Sequence, residues 1–230
     1  MEGIAKRIKA VQERIAAAAA RSGRDPAGVT LVAVSKAFPP EMVRAAAAAG
    51  VTDIGENRVQ EAVPKIAALG RTVRWHLVGH LQTNKAKTAV RLFDWIQTLD
   101  SLRLAEALQK AAEGAGREAV PVLVEVNLGG EASKAGLPEA DLLPLLRRLA
   151  AVPRVRVEGL MALPPLLEDP EAVRPYFARL RLLAEKARAE GLPHVRMMHL
   201  SMGMSHDFEV AVEEGATMVR VGTAIFGPRP

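Results

Sequence analysis

Short apolar, β-branched runs recur along this chain. Each is followed by a longer stretch whose apolar positions return every three or four residues. The runs are Thr30–Ser35, Asp53–Glu56, Arg74–His80, Trp95–Asp100, Val120–Asn127, Val155–Leu163, Met197–Ser201 and Met218–Gly222, and they predict eight strands. Helical spacing predicts helices over Pro40–Ala49, Arg58–Leu69, Thr83–Arg91, Ser101–Ala115, Glu139–Ala150, Pro170–Glu190 and Asp207–Glu214. A further amphipathic helix, Ile4–Arg21, precedes the first strand. Near-continuous apolar strands alternating with helices predict a parallel sheet covered by helices. Eight such units predict an α/β fold of the (β/α)8 TIM-barrel type. An open doubly wound sheet is the alternative, but it uses fewer strands, and no G-x-G-x-x-G follows the first one. The alanine runs Ala16–Ala20 and Ala45–Ala49 fit helices better than linkers, so residues 1–230 are expected to form one domain.

Composition narrows the function further. The chain has no cysteine, which excludes a disulfide framework, a thiolate metal site and a Cys nucleophile, and which fits a reducing cytoplasm. No apolar run reaches membrane-spanning length, and the charged start MEGIAKRIKAVQERI lacks a secretory signal core, so a cytoplasmic protein is expected. Lys and Arg total 31 against 26 Asp and Glu, a net charge of +5, but the basic residues are interleaved with acids. With only 3% aromatic residues there is no basic stripe with stacking rings, so nucleic-acid binding is not expected.

In a parallel barrel the chemistry sits at the C-terminal strand ends. Lys36 closes the first strand, where an ammonium is a charge clamp, an imine-forming nucleophile or a solvent-reaching side chain. The last two strands end in the small-residue turns SMGMS and VGT. Such turns let backbone N–H groups approach an anion, and a phosphate seat is recurrent at this place in barrels. Ser205 also reads as a helix N-cap for the stretch that follows. A strand-one lysine with a phosphate seat implies a phosphorylated carbonyl compound, pyridoxal phosphate above all. Arg220 shares a face with Gly222 and needs an acceptor, either a barrel carboxylate such as Glu125 or the cofactor's pyridine nitrogen. His76 and His80 lie four apart on one expected strand, too far for one ion, and no H-E-x-x-H occurs, so no metal is expected. The absence of G-x-S-x-G argues against a serine hydrolase.

LVAVSK, DIGENRVQE, WHLVGHLQTNK, GLMAL and HLSMGMSHDFEVAVEEGATMVRVGTAIFGPR, in that order, resemble the pyridoxal phosphate homeostasis protein family, itself similar to the N-terminal barrel of alanine racemase. The resemblance runs from the N-terminal helix to Pro230. It implies a monomeric single-domain barrel holding pyridoxal 5′-phosphate as an internal aldimine on Lys36. By motif position, Ser205, Gly222 and Thr223 would hold the phosphate, Arg220 would face the pyridine nitrogen, and Asn57 and His80 would line the pocket. The implied role is buffering the cofactor or delivering it to apo-enzymes, without established turnover. An amino-acid racemase is the alternative, and a barrel enzyme acting on another organic phosphate is a third. Racemisation needs a second base, which in the racemases is a Tyr from an additional domain. The single tyrosine here, Tyr176, falls in the expected helix Pro170–Glu190, where packing is the better reading.

Overall fold

The expected strands form as β1 (Thr30–Val34), β2 (Asp53–Glu56), β3 (Arg74–Leu77), β4 (Trp95–Leu99), β5 (Val120–Asn127), β7 (Val155–Ala162), β8 (Val195–Ser201) and β9 (Met218–Val221). A two-residue strand not anticipated from the sequence, β6 (Leu137–Pro138), pairs beside the end of β5. This computed structural model describes residues 2–130 and 135–228. Met1, and Arg229 and Pro230 at the end of the C-terminal motif, lie outside the described residues. The eight main strands pair in parallel as β1-β2-β3-β4-β5-β7-β8-β9, and β9 pairs back onto β1 through Thr30↔Met218. The ring is closed, which makes the fold a TIM barrel and removes the open-sheet alternative.

The helices are α1 (Glu2–Arg21), α2 (Pro40–Ala48), α3 (Val59–Leu69), α4 (Ala86–Leu92), α5 (Leu102–Gly114), α6 (Leu142–Leu149), α7 (Arg174–Ala189), α8 (Phe208–Glu213) and α9 (Thr223–Phe226). Three expected helix starts are 3₁₀ turns instead, at Thr83–Lys85, Glu139–Asp141 and Pro170–Val173. α9 was not evident in the sequence because it is one turn long. Among the described residues no helix is long and apolar enough to cross a membrane.

Strand alternation divides the interior in two. Ala33, Ile54, Trp75, Ile96, Val122 and Val219 point outward into the main apolar core beneath the helices. Inside the barrel a smaller cluster, Val32, Leu123, Met161 and Met218 with Trp95 against it, shares the space with buried polar groups. α1 buries Ile4, Ile8, Val11, Ile15, Ala18 and Ala19, the three-to-four spacing that made it legible. It lies against α8 and α9. Arg14 pairs with both oxygens of Glu209 at 2.7 and 2.8 Å and stacks 4.5 Å over the Phe208 ring, while Arg21 reaches Glu213 at 2.7 Å.

β7 carries a bulge. On the β5 side the pairing steps from Val122↔Val157 to Leu123↔Gly159, which leaves Glu158 over on β7. On the β8 side it steps from Val157↔Val195 to Gly159↔His199, so there the extra residues lie on β8. The position after Glu158 tolerates only glycine, because a Cβ on Gly159 would lie 1.8 Å from the His199 carbonyl oxygen.

Candidate functional site

Parallel strands deliver all their C-terminal ends to one rim, and a cavity of about 530 Å³ opens there. Lys36 follows β1, Asn57 follows β2, His80 follows β3, and Ser205 follows β8. Arg220, Gly222 and Thr223 come from β9 and the turn after it. All seven line this one cavity. The structure thus brings together the seven residues that the sequence assigned to the cofactor pocket. Lys36, Asn57, Ser205 and Gly222 are half-buried, Arg220 is buried, and Thr223 and His80 are exposed at the mouth.

The turns at β8 and β9 build the anion-facing side. Ser205 Oγ accepts from the N–H groups of Gly222 and Ala224, both at 3.3 Å. Ser205 is therefore not the helix N-cap. α8 begins after Asp207, whose Oδ1 accepts from the Met204 N–H at 2.6 Å and holds the SMGMS turn closed. On the other side, Gly79 lets the chain after β3 press against β2: a Cβ there would lie 2.3 Å from the Asn57 carbonyl oxygen. Thr98 Oγ1 donates to the Gly79 carbonyl at 3.0 Å and fixes that approach.

Arg220 is bonded differently from the sequence expectation. Its guanidinium donates to Ser201 Oγ at 2.6 Å and to the Ala162 carbonyl at 2.8 Å, and no direct ion pair to Glu125 forms. Burial lowers its pKa to about 10 against the pull of Glu125 and Asp207, so it stays a cation at neutral pH. Glu125, also buried and lining the cavity, has one carboxylate oxygen without a hydrogen-bond partner. Burial pushes its pKa up to about 7; Arg220 opposes the rise and Asp100 adds to it. Strand alternation gave no reason to assign Glu125 to the site, since a Glu within an apolar strand reads first as a buried pair.

Beneath Lys36 sits a second buried charge cluster. Lys65 Nζ donates to Glu56 Oε1 at 2.6 Å and to the Ser35 carbonyl at 2.7 Å, and the Ser35 hydroxyl bonds the same Glu56 oxygen. The peptide immediately before Lys36 is thus clamped, and the chain turns sharply at Ala37, with φ of 66°. Burial raises the Glu56 pKa while Lys65 and Ser35 oppose it.

The histidines separate as soon as β3 ends at Leu77. His76 is buried inside the barrel, whereas His80 lies beyond the strand and faces Asp100 at 3.3 Å. Among the described residues no group of three or more His, Asp or Glu is arranged to hold a metal ion. Phe38, Val78, Leu163, Leu166, Met204 and His206 also line the cavity. Val78, Leu163, Met204 and His206 fall within quoted motifs, whereas Phe38 and Leu166 carried no sequence signal. Taken together, the donor set is an amine, a buried guanidinium, hydroxyls and turn N–H groups beside an apolar wall. It suits a flat, partly apolar ligand with an anionic arm and an electrophilic carbon.

Comparison with known proteins agrees with that chemistry. Residues 7–230 match the alanine racemase N-terminal domain family. A pyridoxal phosphate homeostasis protein from Aquifex aeolicus is 46% identical over 225 residues, covering 97% of each chain. One from Escherichia coli is 42% identical, covering 100% of this chain and 98% of its own. The structure of PipY from Synechococcus elongatus with PLP bound superposes with a TM-score of 0.85 at 41% identity, over 97% of this chain and 100% of PipY.

Proposed function

Because the chain belongs to the pyridoxal phosphate homeostasis protein family, built on the alanine racemase N-terminal domain, we propose that it binds pyridoxal 5′-phosphate and serves to buffer or deliver it. Lys36 is the covalent anchor. Its Nζ, once deprotonated, condenses with the aldehyde to an imine and releases one water. Ser205, Gly222 and Thr223 take the phosphate, Arg220 meets the pyridine nitrogen, and Asn57 and His80 flank the ring. The observation that carries the reading is the convergence of these seven residues, from five strand ends, on one cavity. Residues 1–230 act as a single binding domain, in the cytoplasm, as a monomer, with apo-enzymes that need the cofactor as recipients.

The bound group supplies an aldehyde that forms imines with primary amines. An Arg at the ring nitrogen does not surrender its proton, so the ring is a weaker electron sink, but the racemases resemble this arrangement and still turn over. The feature that favours holding over turnover is the second base: Tyr176, the single tyrosine in the sequence, packs on the core from α7 and does not line the cavity.

The test is the visible spectrum of the purified protein, then borohydride reduction and peptide mapping. A yellow chromophore that reduces onto the peptide holding Lys36, and is lost in Lys36→Ala, is expected. A protein that neither carries nor takes up pyridoxal phosphate would sink the proposal. Amino-acid racemisation at enzymatic rates would move the function to the racemase alternative.

A further inference from the structure

Behind Arg220 a line of hydrogen bonds crosses the barrel interior to its opposite end. Arg220 Nη1 donates to Ser201 Oγ at 2.6 Å, and Ser201 Oγ donates to Gln97 Oε1 at 2.7 Å. Gln97 Nε2 meets His76 Nδ1 at 2.9 Å, and His76 Nε2 meets Asp53 Oδ1 at 2.8 Å. The other Asp53 oxygen accepts from Arg74 at 2.8 Å and Thr52 at 2.7 Å. Arg220, Ser201, Gln97, His76 and Asp53 are all buried.

The chemistry of the groups gives this line one direction. Burial pushes the Asp53 carboxyl up, but hydrogen bonds from His76, Arg74 and Thr52 outweigh it and bring its pKa to about 2. Asp53 is therefore ionised and only accepts, so His76 donates from Nε2. Gln97 turns its amide nitrogen toward both His76 Nδ1 and Met218 Sδ, the latter 3.7 Å away, and in that orientation His76 Nδ1 accepts. The amide oxygen is left for Ser201, which has a single hydrogen to give. With that hydrogen committed to Gln97, Ser201 presents lone pairs to the guanidinium, which can only donate. Each bond polarises the next in the same sense, from a cation at the cofactor end to an anion at the far end.

We propose that Gln97 and His76 are positioning residues for Arg220, fixing through Ser201 the guanidinium that meets the ligand's ring nitrogen. The inference rests on the reading of Arg220 above. Neither residue lines the cavity, so each acts only through the chain of bonds.

Two measurements on the full-length protein test it. The first is ¹⁵N NMR of histidine-labelled wild type at neutral pH, where His76 is expected as the neutral Nε2–H tautomer. The second is titration with pyridoxal phosphate of wild type, Gln97→Leu, Ser201→Ala, their double variant and Gln97→Glu. Gln97→Leu and Ser201→Ala should each bind about tenfold more weakly, the scale of one net hydrogen bond to a charged group. The double variant should be no worse than either single one, because both cut the same line. Gln97→Glu keeps an acceptor for Ser201 but loses the amide donor to His76, so it should bind less tightly than wild type and more tightly than Gln97→Leu. Should Gln97→Leu fail to fold, Gln97→Met carries the same comparison.

Doubly protonated His76, losses that add in the double variant, or Gln97→Glu as weak as Gln97→Leu would each overturn the positioning role. Tight binding by the single variants would overturn it alone and leave the cofactor reading standing. A wild type that takes up no pyridoxal phosphate would overturn both.

Discussion

Replacing Glu125 with Gln removes a buried carboxyl that sits in the cavity with one unpartnered oxygen, and its effect on stability must depend on pH. Burial raises this group from 4.5 to about 7, so the folded state holds the proton more tightly than the unfolded chain. The contribution to stability is therefore intact below pH 4.5 and is lost as pH rises through 7. Working the linkage between those two values, ionisation costs the ligand-free wild type about 0.8 kcal/mol at pH 5 and about 3.4 kcal/mol at pH 8.5. Gln has the same shape and cannot ionise. Whatever constant effect the amide has, Glu125→Gln should gain about 2.6 kcal/mol relative to wild type between pH 5 and pH 8.5. Urea unfolding of both proteins at the two pH values, with the slope of the transition checked for constancy, reads this difference directly. A difference that is the same at both pH values would refute the reasoning, because it would mean that Glu125 titrates in the fold as it does in the unfolded chain.

Lys65→Met should cost about 3–5 kcal/mol, because it leaves Glu56 and the Ser35 carbonyl buried without their cation. Adding Glu56→Leu should recover part of that loss in chemical denaturation, and no recovery would show that the pair does not act as a unit. Gly159→Ala should cost about 3 kcal/mol or more, at or beyond the upper end of ordinary overpacking, since its Cβ would meet a backbone oxygen 1.8 Å away. A melting temperature within a degree or two of wild type would mean that the β7 bulge yields more easily than its geometry implies.

Periodicity made the barrel legible because each main strand buries an apolar face against the helices, and α1 because its buried positions repeat along one stripe. The convergence of the seven candidate residues was legible for a different reason: parallel topology sends every strand end to one rim, so polar residues there had to meet. What the pattern hid was the inside of the barrel. Asp53, His76 and Gln97 alternate with apolar neighbours in runs that read as ordinary strands, and nothing local tells that three inward residues from separate strands join Ser201 and Arg220 in one line. Glu125 was raised only as a partner for Arg220, since a one-dimensional reading cannot separate a through-space neighbour from an ion pair. The end of β3 was overextended although Gly79 interrupts it, a glycine that serves the close approach to Asn57. Val78 still bonds the Glu56 carbonyl at 2.9 Å, so strand pairing fades there without any proline or charge to mark it.

The seam between β1 and β9, over which α1 is tied to α8 by Arg14 and Arg21, has a consequence for how the molecule comes into being. Thr30 finds Met218 only after β9 has left the ribosome, and closing so long a loop carries the largest entropy cost of any strand pairing in the ring. Until that happens α1 has no α8 to bury its apolar stripe against. The turn of Gly222 and Thr223 belongs to the same late segment. Ring closure and completion of the cavity lined by Gly222 and Thr223 therefore coincide during synthesis.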